Sequence, residues 1–275
     1  MHLAELVVKI GGADGIDMEP LLAEIASVIR GGTRTVIVHG GSHATTELAR
    51  ALGHPPRFIT SASGRPSRRT DRKTLEAMAM ACAGGMNTAI VESLRRAGVD
   101  AVGLSGLDAG LWIGARKDAI RAVEDGRTVI IRDDLSGVVE RVDGAFLSML
   151  LDAGRTPVIC PPAGTPDGIA INVDADRAAA ATAAALGARE LLLLTNVAGV
   201  LDNPQDPASI IERVSAGRTQ AVRAAAHGRM QNKVQAAEEA LAGGVERVII
   251  AQGHGPDAIA SARAGRGTVF EGALA

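Results

Sequence analysis

Short apolar runs alternate with alanine- and leucine-rich stretches along almost the whole chain, and this alternation is the strongest constraint on its fold. The apolar runs predict strands at 4–10, 34–38, 156–160, 189–195 and 246–251. Helical composition predicts helices at 18–31, 42–52, 72–97, 144–153, 215–226, 229–243 and 256–264, and an alanine-rich helix that follows 171–176 and ends near 186. Apolar strands separated by helices are typical of a parallel sheet covered on both faces. We therefore expect an α/β protein with an open, mainly parallel sheet between helical layers.

Three irregular segments interrupt this alternation. Residues 53–72 are rich in Gly, Pro, Ser and Arg and are interpreted as a long loop or hairpin, a kind of segment that often covers a functional site. Residues 127–142 predict one hairpin that turns at 133–137, because Val- and Ile-rich runs flank a turn-forming cluster. Pro161-Pro162 is expected to end the strand before it.

The composition argues against several classes of function. With 275 residues and 47% hydrophobic content, the chain can bury a sizeable core. Aromatic residues are only 1% of the chain and the net charge is −2, so we expect no nucleic-acid partner. Cys82 and Cys160 lie far apart in sequence, which argues against a disulfide or a metal site. No stretch reaches the roughly 18 apolar residues of a membrane span, so we expect a cytoplasmic protein with no membrane partner.

Two of the predicted strands end in a pair of glycines. One apolar run leads through Lys9 to Gly11-Gly12, and the next leads through His39, expected to be a structural hydrogen-bonder, to Gly40-Gly41. Glycine lets the backbone approach a ligand closely, and free N–H groups at helix N-termini bind anions. Two such pairs at parallel strand ends indicate a phosphate site. The chain lacks the GxxxxGK[ST] motif, which excludes a Walker-type loop.

Five segments, in their order and spacing, carry a specific resemblance that spans nearly the whole chain. They are VVKIGG at 7–12, IVHGGS at 37–42, INVDADRAAAATAAALGA at 171–188, LLLLTNVAGVLDN at 191–203 and GRMQNKVQAAEEAL at 228–241. Together they resemble the amino acid kinase family, and within it the N-acetylglutamate kinase branch, whose members phosphorylate a side-chain carboxylate. The resemblance implies ATP and Mg²⁺ as cofactors. It also implies a substrate-binding and dimerisation lobe at 1–170 and a nucleotide-binding lobe at 171–275, divided where the composition changes near 165–172.

The resemblance also implies catalytic residues. Lys9 and Lys233 would stabilise charge on the transferring phosphoryl group, and Asp176 would orient the two lysines. Asp174 is expected to cap the helix that carries Asp176. A carboxylate with a reference pKa of about 4 is already a nucleophile at neutral pH. No general base is therefore expected, and Asp176 is interpreted as an organiser of the two lysines.

Binding residues follow from the same motifs. The residues implied to bind phosphate through their backbone N–H groups are Gly11, Gly12, Gly40 and Gly41. Arg68 would hold the α-carboxylate of the substrate, and Asn172 would help to place it. The residues implied to line the nucleotide pocket are Thr195, Asn196, Gly199 and Asp202. No metal-ligating set of side chains is predicted. The family's HGGG is HGGS here, so Ser42 replaces a third glycine.

The segment TSASGRPSRRTD at 60–71 is longer than is usual in N-acetylglutamate kinases. It is similar to the segment of kinases that act on aminoadipate attached to LysW, a small acidic amino-group carrier protein. The resemblance therefore implies LysW as a partner, with LysW-bound glutamate as a further substrate. A cluster of cations is expected to steer the acidic carrier, and its members are Arg65, Arg68, Arg69, Arg72 and Lys73.

Two other functions remain open on the sequence. One is a kinase of free N-acetylglutamate in arginine synthesis, and the other is a non-catalytic amino-acid or nucleotide sensor on the same fold. Because the first strand lies almost at the start of the sequence, without the N-terminal helix of arginine-inhibited hexamers, we expect a homodimer insensitive to arginine. The methionines expected to fill the core are Met78, Met80, Met86 and Met149.

Overall fold

The structure, a computed structural model, describes residues 4–12, 15–61, 66–124, 127–203, 205–206, 208–255 and 257–272. Its strands are β1 (Leu6–Ile10), β2 (Thr35–His39), β3 (Phe58–Ser61), β4 (Pro66–Arg68), β5 (Ala101–Gly106), β6 (Trp112–Arg116), β7 (Ile120–Glu124), β8 (Arg127–Ile131), β9 (Gly137–Val142), β10 (Thr156–Gly164), β11 (Ala170–Ile171), β12 (Glu190–Thr195), β13 (Arg213–Ser215), β14 (Arg247–Gln252) and β15 (Thr268–Glu271).

The helices lie between these strands much as the sequence predicts. They are α1 (Met18–Arg30), α2 (Ser42–Ala51), α3 (Arg72–Ala79), α4 (Asn87–Arg96), α5 (Gly144–Asp152), α6 (Ala175–Ala185), α7 (Thr219–Ala225), α8 (Arg229–Ala242) and α9 (Ala258–Arg263). The predicted helix at 72–97 is continuous but contains a π-helical segment, Met80–Met86, between α3 and α4. Asp108–Gly110 and Ala216–Arg218 form short 3₁₀ turns.

The main sheet has the order β13-β15-β14-β12-β1-β2-β10-β6-β9, with β5 and β11 also paired to β10. Its central strands β14, β12, β1, β2 and β10 are mutually parallel, so their carboxyl ends lie along one edge. The predicted open, mainly parallel α/β sheet is confirmed. Antiparallel pairs occur towards its borders, where β14 pairs with β15 and β6 with β9.

The central strands are buried on both faces, and their alternating side chains pack against two helical layers. On β1, Leu6, Val8 and Ile10 belong to the core that includes residues of α1, α4 and α9. Val7 belongs to the opposite core, which includes residues of α6 and α8. Because Lys9 lies two residues after Val7, its side chain projects towards the face that α6 and α8 cover.

The single tryptophan, Trp112, is fully buried in β6 at the contact with α6. Its indole N–H donates to the Thr182 hydroxyl of α6 at 3.0 Å. A Cβ on Gly106 would lie only 2.2 Å from the indole ring, so the absence of a side chain there makes room for Trp112. The indole therefore joins β6 to the helix that carries Asp176.

A smaller antiparallel sheet, the lid sheet, has the order β4-β3-β7-β8. Strands β3 and β4 form the hairpin expected within residues 53–72, and residues 62–65 lie outside the described part of the chain. Ile59, Ala122 and Ile131 form the small core of the lid sheet. This second sheet was not predicted as a unit, because its strand β7 is a run of five residues, too short to stand out in sequence.

The predicted hairpin at 127–142 is wrong. Both of its strands exist, but β8 pairs with β7 in the lid sheet while β9 pairs with β6 in the main sheet. Asp134 holds the connection between the two sheets in place. Its carboxylate accepts hydrogen bonds from the backbone N–H groups of Thr70 and Ser136, each at 2.8 Å. A turn-forming cluster thus serves here as an anchor between the two sheets.

Two further predictions need correction. Pro161-Pro162 does not end its strand, because β10 pairs with β5 through Cys160 and resumes pairing with β11 at Ala163, leaving the prolines between the paired stretches. Met80 and Met149 are not core residues, since they are 50% and 57% exposed. Within the described ranges, no helix has the length and apolarity that crossing a membrane requires. The two-lobe division stays a prediction.

Candidate active site

Both predicted glycine pairs lie where neighbouring parallel strands end, and they pack backbone against backbone. A Cβ on Gly12 would lie 2.3 Å from the Gly41 nitrogen and 2.6 Å from the Gly40 carbonyl carbon. No other residue type fits at Gly12 without displacing that backbone. Gly11 is tight in a different direction, since a Cβ there would lie 3.0 Å from the Leu194 oxygen of β12.

Gly41 faces sulfur atoms instead of backbone. A Cβ at this position would lie 2.4 Å from Cys82 Sγ and 3.2 Å from Met86 Sδ, both in the π-helical segment. Gly40 is less constrained, because the nearest atoms to its Cβ position are at 3.4 Å or more. The space around these glycines therefore makes Gly12 and Gly41 the most restrictive positions of the two pairs.

Ser42 explains the departure from the three-glycine pattern. Its hydroxyl donates to the Gly12 carbonyl at 3.0 Å, and the neighbouring His43 N–H donates to the same oxygen at 2.9 Å. Helix α2 begins at Ser42. The serine thus ties the start of this helix to the loop after β1.

Lys9, Asp176 and Lys233 form a buried ionic cluster, although 167 or more residues separate Lys9 from the other two in sequence. The Lys9 ammonium is 2.6 Å from Asp176 Oδ1, and the Lys233 ammonium is 2.9 Å from Asp176 Oδ2. The three residues are 4%, 7% and 8% exposed, respectively. Each comes from a different element, β1, α6 and α8. Helix α6 packs on β1 and α8 packs on α6, which brings the three side chains together.

Electrostatics explains how these charges coexist in the interior. Burial alone would raise the pKa of Asp176, but the charges of Lys233 and Lys9 and their hydrogen bonds outweigh it and hold the pKa well below its usual range. Burial lowers the pKa of Lys9 from its ordinary 10.5, with Asp176 opposing the shift and Lys233 adding to it. In their ionised forms the three side chains carry a net charge of +1. This arrangement favours an anion beside the lysines.

Asp174 caps α6, as predicted. Its Oδ1 accepts the backbone N–H groups of Asp176 at 2.9 Å and Arg177 at 3.1 Å. Its other oxygen accepts a hydrogen bond from the Asn232 amide at 2.9 Å. Because Asn232 precedes Lys233 on α8, this bond fixes the two helices relative to each other just outside the ionic cluster. Asn232 was missed from the sequence, where nothing singled it out.

Arg68 is the last residue of β4, and its side chain contacts the start of α2, close to the glycine pairs. One guanidinium nitrogen, Nη2, donates to the Ser42 carbonyl at 3.0 Å and to the Thr46 hydroxyl at 2.8 Å. The guanidinium carbon is 5.3 Å from the centre of the Phe58 ring. The second nitrogen, Nη1, is buried and has no hydrogen-bond partner among the described residues. A charged donor of this kind is available to an anionic ligand.

Arg229 is a further cation at this point, and the sequence analysis missed it. Its Nη1 lies 3.5 Å from the Ser42 hydroxyl. Burial is the main cause that lowers the pKa of Arg68, and the nearby charge of Arg229 adds to the shift. Arg229 lies four residues before Lys233 on α8, so the helical spacing that places both on one side was a usable sequence signal.

Asn172 lies at the base of the lid sheet. Its amide donates to the Thr70 hydroxyl at 2.9 Å, and its backbone N–H donates to the Leu135 carbonyl at 2.8 Å. Gly137 donates its N–H to the Asn172 carbonyl at 2.9 Å. Thr70 lies two residues after Arg68, where β4 of the lid sheet ends, and Gly137 begins β9 of the main sheet. Asn172 is therefore held to both sheets.

The cationic cluster expected on the lid is partly neutralised by acidic neighbours. Arg69 forms a salt bridge with Asp133 at 2.8 Å, and Arg72 forms one with Glu76 at 3.1 Å. Arg65 lies outside the described residues. These exposed pairs leave less uncompensated positive charge on the lid than the sequence indicates.

The four residues assigned to the nucleotide pocket do not lie at one point. Thr195 ends β12 beside Gly11, the residue after β1, whose N–H donates to the neighbouring Leu194 carbonyl at 3.0 Å. Asn196 follows it and is exposed. Gly199 is buried against β15, where a Cβ would lie 2.8 Å from the Thr268 hydroxyl. Asp202 is exposed in the loop beyond, and its N–H donates to the Ser209 carbonyl at 2.8 Å.

A parallel α/β sheet that places a buried Lys-Asp-Lys cluster beside two glycine loops is suited to bind and stabilise a phosphoryl group, as in a phosphotransferase. A sequence profile of the amino acid kinase family matches residues 5–252. The chain belongs to the amino acid kinase family.

Relatives with related names cover most of the chain. It is 48% identical to a [LysW]-aminoadipate kinase of Deinococcus radiodurans over 264 residues, or 96% of this chain and 90% of that protein. It is 45% identical to the [LysW]-aminoadipate kinase of Thermus thermophilus, covering 96% and 99%. An acetylglutamate kinase of Archaeoglobus fulgidus is 36% identical over 263 residues, covering 94% and 89%.

Solved structures share the fold. An N-acetylglutamate synthase from Neisseria gonorrhoeae matches with a TM-score of 0.75 and 27% identity, covering 98% of this chain, while the chain spans only 60% of that protein. A carbamate kinase from Giardia matches with a TM-score of 0.69 and covers 98% of this chain and 99% of that one. At 17% identity, the second match indicates the fold alone.

Proposed function

We propose that this protein phosphorylates the side-chain carboxylate of α-aminoadipate carried by LysW, forming an acyl phosphate at the expense of ATP. The buried Lys9–Asp176–Lys233 cluster beside Gly12 and Gly41 carries the phosphoryl-transfer part of the proposal. The identities of 48% and 45% to two [LysW]-aminoadipate kinases support the choice of acceptor. LysW-bound glutamate is a further acceptor that names among the relatives support.

The chemistry requires positioning and charge stabilisation. The acceptor carboxylate is ionised at neutral pH and attacks the terminal phosphorus of ATP, while the bond from that phosphorus to the ADP oxygen breaks. Lys9 and Lys233 stabilise negative charge on the transferring group, and Asp176 keeps both ammonium groups in place. Gly12 and Gly41 offer backbone N–H donors. The N–H groups of Gly11 and Gly40, also predicted to bind phosphate, already donate to the Leu194 and Ile10 carbonyls at 3.0 and 3.2 Å. No proton has to be removed from the acceptor.

Mg²⁺ fits this site as a companion of the nucleotide. Among the described residues, no group of three or more His, Cys, Asp or Glu side chains is placed to hold a metal. Asp176 is already engaged by both lysines. Mg²⁺ binds substrate phosphates with few protein ligands, so the nucleotide would supply most of its coordination and the ion would neutralise phosphate charge.

The acceptor would lie between the glycine loops and the lid sheet. Arg68 would bind its α-carboxylate through the buried, unpaired Nη1, and Asn172 would place its main-chain end through the bonded pair with Thr70. Thr195, Asn196, Gly199 and Asp202 would line the nucleotide side, with Gly199 acting through close packing on β15. We also propose a homodimer, which light scattering would test directly.

The lid cations would guide the acidic carrier towards the site. Salt screens such attraction, so charge reversal at Arg72 and Lys73 should raise the apparent KM for carrier-bound substrate at low salt and have little effect at high salt. An unchanged KM at low salt would remove this part of the proposal. Turnover of the free acetylated amino acids provides the control, because it does not involve the carrier.

ADP release with ATP and Mg²⁺ tests the proposal. Carrier-bound aminoadipate, free N-acetylaminoadipate and free N-acetylglutamate are offered in parallel, and we expect much the fastest turnover with the carrier-bound acceptor. Preference for free N-acetylglutamate would support the second candidate, an acetylglutamate kinase, which the 36% identity to such an enzyme favours. Ligand binding without ADP release from any acceptor would point to a sensor.

A further inference from the structure

His39, the last residue of β2, belongs to a buried polar chain that ends at the glycine loop. The residue is fully buried. Its Nδ1 lies 2.9 Å from the Gly40 carbonyl oxygen, and its Nε2 lies 3.1 Å from the side-chain nitrogen of Asn87. The same Asn87 nitrogen lies 2.9 Å from the Val158 carbonyl of β10. Three elements, β2, α4 and β10, are thus linked through two side chains.

The hydrogen-bond partners of His39 and Asn87 fix which histidine nitrogen carries the proton. The Val158 carbonyl can only accept, so the atom facing it is the amide nitrogen of Asn87. That nitrogen donates its second hydrogen to His39, and Nε2 must therefore be the acceptor. The proton lies on Nδ1, which donates to Gly40. Burial lowers the pKa of His39 to about 4, so the ring is uncharged at neutral pH.

Asn87 is itself rigidly placed. It is the first residue of α4, directly after the π-helical segment, and is buried. A Cβ on Gly103 of β5 would lie 2.1 Å from Asn87 Oδ1, so the amide fills the space that this glycine leaves open. The side chain of Asn87 is held by neighbouring strands and cannot reverse without losing the bond to Val158.

The bond to Gly40 has a direct effect on Gly41. In a trans peptide unit the carbonyl and the following N–H point in opposite directions, so fixing the Gly40 carbonyl fixes the direction of the Gly41 N–H. The Gly41 nitrogen lies next to Gly12, whose added Cβ would approach it to 2.3 Å. Donation to the carbonyl also polarises the peptide and strengthens its N–H as a donor.

We propose that His39, with its tautomer set by Asn87, is a positioning residue that aims the Gly41 N–H at the transferring phosphoryl group. The inference rests on the proposed function and adds a residue to it. His39 does not touch the substrate; it acts through one peptide unit. A purely structural histidine would stabilise the fold without affecting the rate of phosphoryl transfer.

Two substitutions of His39 separate these roles. Asparagine places its amide nitrogen near the position of Nδ1, so His39→Asn keeps a donor for Gly40. Glutamine reaches towards Nε2, so His39→Gln keeps a partner for Asn87 but loses the donor. We expect kcat of His39→Asn to stay within about fivefold of the wild type, and kcat of His39→Gln to fall by about 10- to 100-fold at similar KM values. Equal kcat values in folded His39→Asn and His39→Gln would overturn the proposal.

Nuclear magnetic resonance of the intact wild-type protein tests the proposal even if both variants unfold. The ring nitrogen shifts of His39 should show a protonated Nδ1 and an unprotonated Nε2. The Gly41 amide resonance should move when a non-hydrolysable ATP analogue and Mg²⁺ bind. The opposite tautomer, or a Gly41 signal unaffected by the nucleotide, would contradict it. Absence of ADP release by the wild type would instead remove the proposed function and leave the tautomer assignment standing.

Discussion

The candidate site has two ends that differ in how completely the protein satisfies its own charged groups. At the phosphate end, Lys9, Asp176 and Lys233 are buried, and each lysine ammonium lies within 3.0 Å of an Asp176 oxygen. At the acceptor end, Arg68 is half-buried and keeps one buried nitrogen without a partner among the described residues. The phosphate end is organised before any ligand arrives, whereas the acceptor end needs a ligand to complete it. Changes at the first should lower kcat, and changes at the second should raise KM.

Asp176→Asn should break the phosphate end with the largest effect. It leaves two ammonium groups buried with no opposing charge, which costs about 3–5 kcal/mol of folding free energy. Misplaced lysines should lower kcat by about 1,000-fold. Chemical denaturation and ADP release measure the two effects, and Asp152→Asn, in an exposed ion pair with Arg34, is the control. A variant of Asp176 with near-normal kcat would refute the role of this cluster.

The glycine loops provide the next largest effect and a contrast within the phosphate end. Gly12→Ala should lower kcat by more than about 100-fold, because the new methyl group meets backbone atoms that belong to the proposed donor loop. Gly41→Ala meets the side chains of Cys82 and Met86 instead, so adding Cys82→Ala should restore part of its activity.

Steady-state kinetics of these single and double variants provide the measurement. Gly84→Ala is the matched control, because its added methyl group meets nothing within 4 Å. If Cys82→Ala gave no recovery of Gly41→Ala, the steric explanation of Gly41 would be wrong.

Arg68→Lys sharpens the comparison from the acceptor end. Lysine keeps the charge but loses the paired donors of the guanidinium, so KM for the acceptor should rise by about 10- to 100-fold while kcat changes little. Kinetics at saturating ATP separate the two constants. Arg95→Lys, in an exposed ion pair with Asp100, should leave both constants unchanged. A fall in kcat with an unchanged KM would move Arg68 to the phosphate end.

The pH profile should show the smallest effect. Since burial lowers the pKa of Lys9 below 10.5, kcat/KM for ATP should fall in the alkaline range with an apparent pKa below 10.5. The lowered pKa of Asp176 means that its stabilising charge is present above the ordinary carboxyl range and is lost only as the pH falls through a still lower folded value. Mildly acidic pH should therefore not remove activity through Asp176. An alkaline limb at or above 10.5 would contradict the assignment to Lys9.

Parts of the site that depend on strand order were accessible from the sequence. Lys9, Gly12 and Gly41 follow apolar runs, and parallel strands must end at one edge of a sheet. Asp174 was recognised as a cap from its place before an alanine-rich helix. The order of the strands in the sheet was not predicted, because hydrophobic patterns do not determine which strands are neighbours.

Features created by tertiary contacts were not accessible. Asp134 reads as a turn residue, yet it anchors the lid sheet to the main sheet through Thr70. Met80 and Met149 are apolar residues at helical positions, but their side chains are exposed. Arg229 becomes a site residue only because α8 approaches Ser42. In each case, a partner distant in sequence decides the role.

Trp112 gives the protein an optical reporter of its own. The chain has one tryptophan and no tyrosine, so its near-ultraviolet fluorescence comes from a single indole. That indole is bonded to Thr182 on the same helix as Asp176. Emission excited at long wavelength therefore reports how α6 is docked on β6. Displacement of this helix on nucleotide binding, or its release during unfolding, can be followed in the unlabelled wild-type protein.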